Sequence, residues 1–283
     1  MYHRHEEVAL SWIARGGSES VSSGLTATRT LGRGRWGGEC WEPCVGLSPD
    51  GRYVAFAAAT SDGRNQLWLR GLAEPEARPV EASANAGGWL FWSPDSRNLG
   101  YSGDGKLRAL DVATGRSRVV CDALGFRGGA WPADGTILFA PSEGSGLFRV
   151  PAEGGSPVPV TMLDDPRGET SHRFPRFLPD GHHFLFRVQA ASAEVSGIYI
   201  GSLDGSVKSR LLSADSQAAY AAPGFLLYVV SGVLFAHPFD AAALALSGRP
   251  QPLAQGSWSI SPGPAAGPRG RRWRRRTRRV RAR

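Results

Sequence analysis

Gly32, Gly34 and Gly37 stand at the G-x-G-x-x-G spacing within LGRGRWGG, which in a phosphate-covering loop or dinucleotide turn lets the backbone approach phosphate oxygens. Phosphoryl transfer also needs a strand lysine soon afterwards, a catalytic aspartate and a metal-binding aspartate. Here the first lysine is Lys106, and neither H-R-D nor D-F-G occurs. A dinucleotide site needs a strand before the glycines and a helix after them, whereas Glu39 to Pro43 leads straight into strand-like sequence. The segment therefore reads as a glycine-rich linker. No G-x-S-x-G elbow presents a nucleophilic serine. Cys40 and Cys44 form a C-x3-C pair without a second pair or a nearby histidine, and Cys121 stands alone. They suit neither a zinc site nor a disulfide framework. His182 and His183 are adjacent and would face opposite sides of a strand, so both cannot bind one metal from it. The histidines are expected at surfaces or turns, and Asp164, Asp165 and Glu169 in a polar connection. No catalytic residue, metal or cofactor is expected, and the chain reads as a non-enzyme.

What would position any site is a repeat. One phrase recurs five times: LSPDGRYVAF from Leu47, WSPDSRNLGY from Trp92, WPADGTILFA from Trp131, LPDGHHFLFR from Leu178 and AAPGFLLYVV from Ala221. The turn residues Gly51, Ser96, Gly135, Gly181 and Gly224 are 45, 39, 46 and 43 residues apart. Proline presets φ at the second turn position, aspartate tolerates the third, and glycine accepts the positive φ that completes the reversal. Each phrase is followed by a second pattern (QLWLRGL, KLRALDV, GLFRVPA, GIYIGSL, GVLFAHPF) and a third (ARPVEA, SRVVCD, SPVPVTM, KSRLLS, QPLAQ). Runs as apolar as TILFA and FLLYVV imply burial on both faces. Four short strands per unit of this length predict an all-β fold, a β-propeller of about five four-stranded blades, incomplete or open.

These phrases resemble the TolB-type, WD-repeat-like propeller repeats. More narrowly, QLWLRGL, FWSPDSR, GLFRVPAEGG, FPRFLPDGHHFLF and VLFAHPFDAAALALSG are similar to the propeller that follows the kinase domain in bacterial serine/threonine protein kinases. The resemblance spans residues 41–256. It implies a sensing or protein-binding module, with a fragment of a kinase lacking its catalytic domain as the alternative. Inter-blade loops carry recognition in propellers. The expected partner-binding residues are Arg127 in FRGG and Arg167, Glu169, His172 and Arg173 in DDPRGETSHR, for a protein or small-ligand partner. Trp92 and Trp131 are expected to pack between blades.

The flanks differ in composition. Residues 1–40 are glycine- and serine-rich and expected to be flexible. Residues 257–283 begin a sixth unit, SWSISPG, and then become arginine-rich. Ten arginines between Arg269 and Arg283 exceed the net charge of +8, so residues 1–268 carry about −2. Such a tail is expected to be disordered and could bind nucleic acid nonspecifically. Alternatively, a frame shift in GC-rich DNA would produce an arginine run where the sixth unit breaks off. The longest nearly apolar run, Phe225 to Ala236, is shorter than the roughly 20 residues of a membrane helix. The start carries no apolar leader, and a cytoplasmic chain is expected. An unfinished ring would leave apolar faces on its terminal blades, and self-association through them is expected. ALSWIA and GLTATRTL are the N-terminal segments that could supply a closing strand.

Overall fold

The computed structural model describes residues 27–29, 45–60, 63–214, 216–256 and 258–260. Five antiparallel sheets follow one another along the chain as the blades of a propeller. Blade one comprises Val45–Leu47, Tyr53–Ala59, Asn65–Gly71 and Arg78–Pro79. Blade two comprises Phe91–Trp92, Asn98–Gly103, Lys106–Asp111 and Ser117–Asp122. Gly129–Ala130, Thr136–Phe139, Phe148–Pro151 and Val158–Pro159 form blade three, and Glu169–Phe177, His183–Ala190, Gly197–Ser202 and Lys208–Leu212 form blade four. Blade five has Ala219–Ala221, Phe225–Val230 and Val233–Asp240, the last paired with both Ala245–Leu246 and Gln251–Gln255. Among the described residues the helical structure is two single turns, Glu81–Ser83 and Asp165–Arg167. No helix of the described residues is long and apolar enough to cross a membrane.

The repeated phrase works as its chemistry predicts. In blade one the Gly51 N–H donates to the Ser48 carbonyl at 2.9 Å with Gly51 at φ +71. Asp50 accepts from the Ser48 hydroxyl at 2.6 Å and from the Arg52 N–H at 3.0 Å. The same three roles recur at Ser93, Asp95 and Ser96, whose φ is +63. Blade five departs: its turn closes from Gly224 N–H to the Ala221 carbonyl without a left-handed residue.

Burial on both faces is literal. Ile137, Leu138 and Phe139 are consecutive and each 0% exposed. Ile137 and Phe139 pack toward blade two with Phe91 and Leu107, and Leu138 packs toward blade four with Phe184 and Phe186. Alternation along a strand thus feeds two separate cores. The Trp92 indole N–H donates across the first seam to the Gly46 carbonyl at 3.1 Å. Trp131 packs on Phe91 across the second, with ring centroids 6.3 Å apart.

Beyond the five blades, Ala27–Arg29, inside GLTATRTL, pairs antiparallel with Trp258–Ile260. Trp258–Ile260 lies beside Phe225–Val230 of blade five. The remainder of the expected flexible N-terminal segment and arginine tail, including the glycine-rich motif, Cys40 and Cys44, lies outside the described residues.

Candidate functional site

In an up-and-down sheet the turn between strands two and three lies at the same end as the connection to the next blade. All five expected site residues therefore gather at one end of blades three and four. Arg127 sits on the connection entering blade three, and Arg167 ends the single helical turn Asp165–Arg167, exposed. Glu169, His172 and Arg173 are not on a solvated loop, as the polar sequence suggested. They belong to the first strand of blade four, and Glu169 and His172 are 4% and 0% exposed. Polarity misled here because Glu169 and His172 bond each other inside a seam, while Arg173 bonds the Ser171 hydroxyl and the Glu143 carbonyl.

Glu169 Oε2 accepts from Lys208 Nζ at 2.6 Å, from the Asp164 N–H at 2.8 Å and from His172 Nε2 at 2.9 Å. A carboxylate only accepts, so the imidazole carries its proton on Nε2. His172 Nδ1 then accepts the Thr161 hydroxyl proton at 2.7 Å, while Thr161 Oγ1 accepts the Leu147 N–H at 2.8 Å. The chain of bonds joins blade three to blade four. Its hydroxyl–imidazole–carboxylate order matches that of a hydrolase triad. It is sealed from water, and its hydroxyl is bonded to the backbone of blade three.

Thr161 and Lys208 are the members that sequence reasoning did not select. One signal existed: Lys208 is one of only two lysines beside 31 arginines. A strand 39 residues beyond Glu169 gives no local hint of the pairing.

Arg173 follows His172 and turns to the other side of the strand, where it and Arg127 both reach Glu143. Arg127 forms an ion pair with Glu143, and Arg173 Nη2 donates to the Glu143 carbonyl at 3.3 Å. A bulge between Arg173 and Arg176 turns Phe174 into the left-handed region at φ +55. Bulges of this kind re-aim a side chain. The Phe174 N–H donates to the Arg127 carbonyl at 3.0 Å, and its ring lies 4.6 Å from Trp89 of the first connection. Met162, on the connection into blade four, is 80% exposed. His182 and His183 pair with Asp204 and Asp180 respectively. Among the described residues no three His, Cys, Asp or Glu side chains gather in metal-ligating geometry. Burial, with Asp122 adding to it, pushes the Cys121 thiol up to about 11, so the thiol form prevails at neutral pH.

Burial holds the His172 imidazole below its ordinary 6.5, aided by Lys208 and opposed by Glu169. Burial alone would raise Glu169, but Lys208, the Asp164 N–H and His172 together hold it below its ordinary 4.5. In both cases the unfolded chain binds the proton more readily. Stability is therefore expected to be level above about pH 6.5, to fall as acid charges the unfolded histidine, and to fall again below about pH 4.5. Urea midpoints between pH 8 and 4 measure this, and His172→Gln should flatten the first decline. A midpoint that stays level from pH 7.5 to 5.5 in the wild type contradicts the buried neutral imidazole.

No protein-family model matches the chain, and no curated protein matches it. Solved structures do. TolB from Acinetobacter baumannii is similar at 16% identity with a TM-score of 0.60, over 77% of this chain and 56% of that one. A TolB-type protein from Agrobacterium tumefaciens is similar at 20% identity with a TM-score of 0.50, over 58% of this chain and 62% of that one. An oligogalacturonate lyase in complex with manganese is similar at 16% identity with a TM-score of 0.55, over 81% of this chain and 66% of that one. The chain spans about three fifths of the TolB chains it matches. At such identities the likeness is one of fold, and the fold is a TolB-like β-propeller.

Proposed function

We propose that the chain is a noncatalytic interaction module that meets a protein or small-ligand partner at the connection end of blades three and four. One observation carries this reading. Among the described residues the acid–base arrangement assembled there, Thr161–His172–Glu169, is buried and bonded into the seam, while Arg167 and Met162 beside it stand in water. The fold shared with TolB supports a binding role, and the resemblance of phrases such as GLFRVPAEGG and FPRFLPDGHHFLF to the propellers of bacterial serine/threonine kinases suggests a sensing one. Propellers host unrelated activities, so the reading rests on this site rather than on the fold.

The test has two arms. Purified chain with ATP and Mg²⁺ is expected to transfer no phosphoryl group, and turnover would overturn the noncatalytic reading. Proteins cross-linked to the chain in cells of its source are expected to lose their link when Met162→Asp and Arg167→Glu are introduced together. They should keep it in Asp134→Asn, at the opposite end of blade three. Equal cross-linking in all three would remove the partner from this face.

A further inference from the structure

The seams between blades can be compared position by position, because the Val112 and Ala152 amides make the same bond, to the Arg97 and Gly135 carbonyls. Counting from them, Ala113 in blade two occupies the place of Glu153 in blade three. The outer strands align too: Arg78 lies opposite Leu69, and Arg118 opposite Ala109, three residues before Leu72 and Val112. Leu72 and Val112 are themselves equivalent, since the Leu72 amide bonds the Arg52 carbonyl. In the second seam Arg118 of blade two bonds Glu153 of blade three, Nη2 to Oε1 at 3.4 Å. In the first seam the position equivalent to Glu153 is Ala113, so Arg78 of blade one has no such carboxylate there. Its Nη2 donates to the Val112 carbonyl at 3.2 Å instead.

The first seam also has a cleft of about 230 Å³ at this place. Its floor is apolar: Leu69, Val80, Leu110 and Val112 are each at most 7% exposed. Its rim is polar, with Arg78 on one side and Glu81 and Thr114 around it. The floor is thus shaped for a short aliphatic group and the guanidinium for an anion. Arginine presents a planar fork that matches a carboxylate. Glu81 can accept an N–H from the same ligand.

We infer that this cleft binds a carboxylate carried on a short branched aliphatic residue with an adjacent N–H, which places its carboxylate where Glu153 stands in the next seam. The chemistry is shared by a free aliphatic amino acid and by the C-terminal residue of a peptide. The site lies apart from the blade three and blade four connections and does not depend on their role.

Titration calorimetry on the full chain distinguishes the sources, using L-leucine, the peptide acetyl-Gly-Gly-Leu, and the same peptide with a C-terminal amide. Saturable binding of one of the two carboxylates, with Kd about 1 mM or tighter, is expected. The tighter of them identifies the source. The amide should bind at least about tenfold more weakly, as should either carboxylate to Arg78→Met and to Ala113→Glu, which supplies the missing acid in cis. Both substitutions are at exposed positions, and unchanged thermal midpoints confirm that loss of binding is local. Absence of saturation by both carboxylates up to about 10 mM would overturn the inference. So would equal binding of the amide, or undiminished binding by both variants.

Discussion

Glu169→Ala is expected to lower the unfolding free energy by about 3 kcal/mol, the scale for removing one partner of a buried ion pair. Three donors converge on the carboxylate oxygen that would be lost: Lys208 Nζ, the Asp164 N–H and His172 Nε2. The Asp164 N–H and His172 Nε2 lose their acceptor in a site where Glu169 is 4% exposed, while Lys208 keeps the Met162 carbonyl at 3.2 Å. Lys208 is 29% exposed and recovers some hydration, which places the effect at the lower end of that range. Glu169→Gln keeps an acceptor but gives up the charge facing Lys208, and should fall between alanine and wild type. Urea unfolding measures both. A loss below about 0.5 kcal/mol for the alanine variant would mean that the network is not what joins blades three and four.

Gly146→Ala is expected to cost about as much, roughly 3 kcal/mol at the upper end for overpacking, by pushing the same network apart from the other side. A β-carbon at Gly146 would stand 1.9 Å from the Thr161 carbonyl oxygen and 3.2 Å from Thr161 Oγ1. The obstruction is backbone and cannot rotate away. Relief requires moving Thr161, and with it the hydroxyl that bonds both the Leu147 amide and His172. Gly51→Ala is the useful contrast. Gly51 has nothing within 4 Å of its would-be β-carbon and pays only for its left-handed φ of +71, roughly 1 kcal/mol. If thermal or urea unfolding ranks Gly51→Ala as the more damaging, the close approach at Gly146 is not rigid.

The repeat phrase by itself determined the blades. Ser, Pro, Asp and Gly act within five residues, through bonds such as Ser48 to Asp50 and Gly51 to Ser48, so the turn is written locally and recurs wherever the phrase does. The third and fourth strands were legible for the same reason: QLWLRGL and SRVVCD form Asn65–Gly71 and Ser117–Asp122. Apolar runs such as TILFA announced burial on both sides, because a sheet stacked between two others has no polar face. Trp92 and Trp131 were likewise readable as packing residues.

Only the tertiary structure decided which polar residues are inside. DDPRGETSHR carries the composition of a solvated loop, yet Glu169 and His172 are sealed in a seam. Their partners come from separate elements: Leu147 and Thr161 from blade three and its connection, Lys208 from the outer strand of blade four. Burial of a charge depends on whether a partner arrives at hydrogen-bond distance. Here the partners arrive from the neighbouring blade, as Thr161 does for His172, or from a strand 39 residues further on in the same blade, as Lys208 does for Glu169, and no local pattern records either. The pairing of Ala27–Arg29 with Trp258–Ile260 belongs to the same class. The sequence offered GLTATRTL and ALSWIA as equal candidates for a closing strand, and only the structure pairs the first of them, through Ala27–Arg29, with a segment more than 200 residues away.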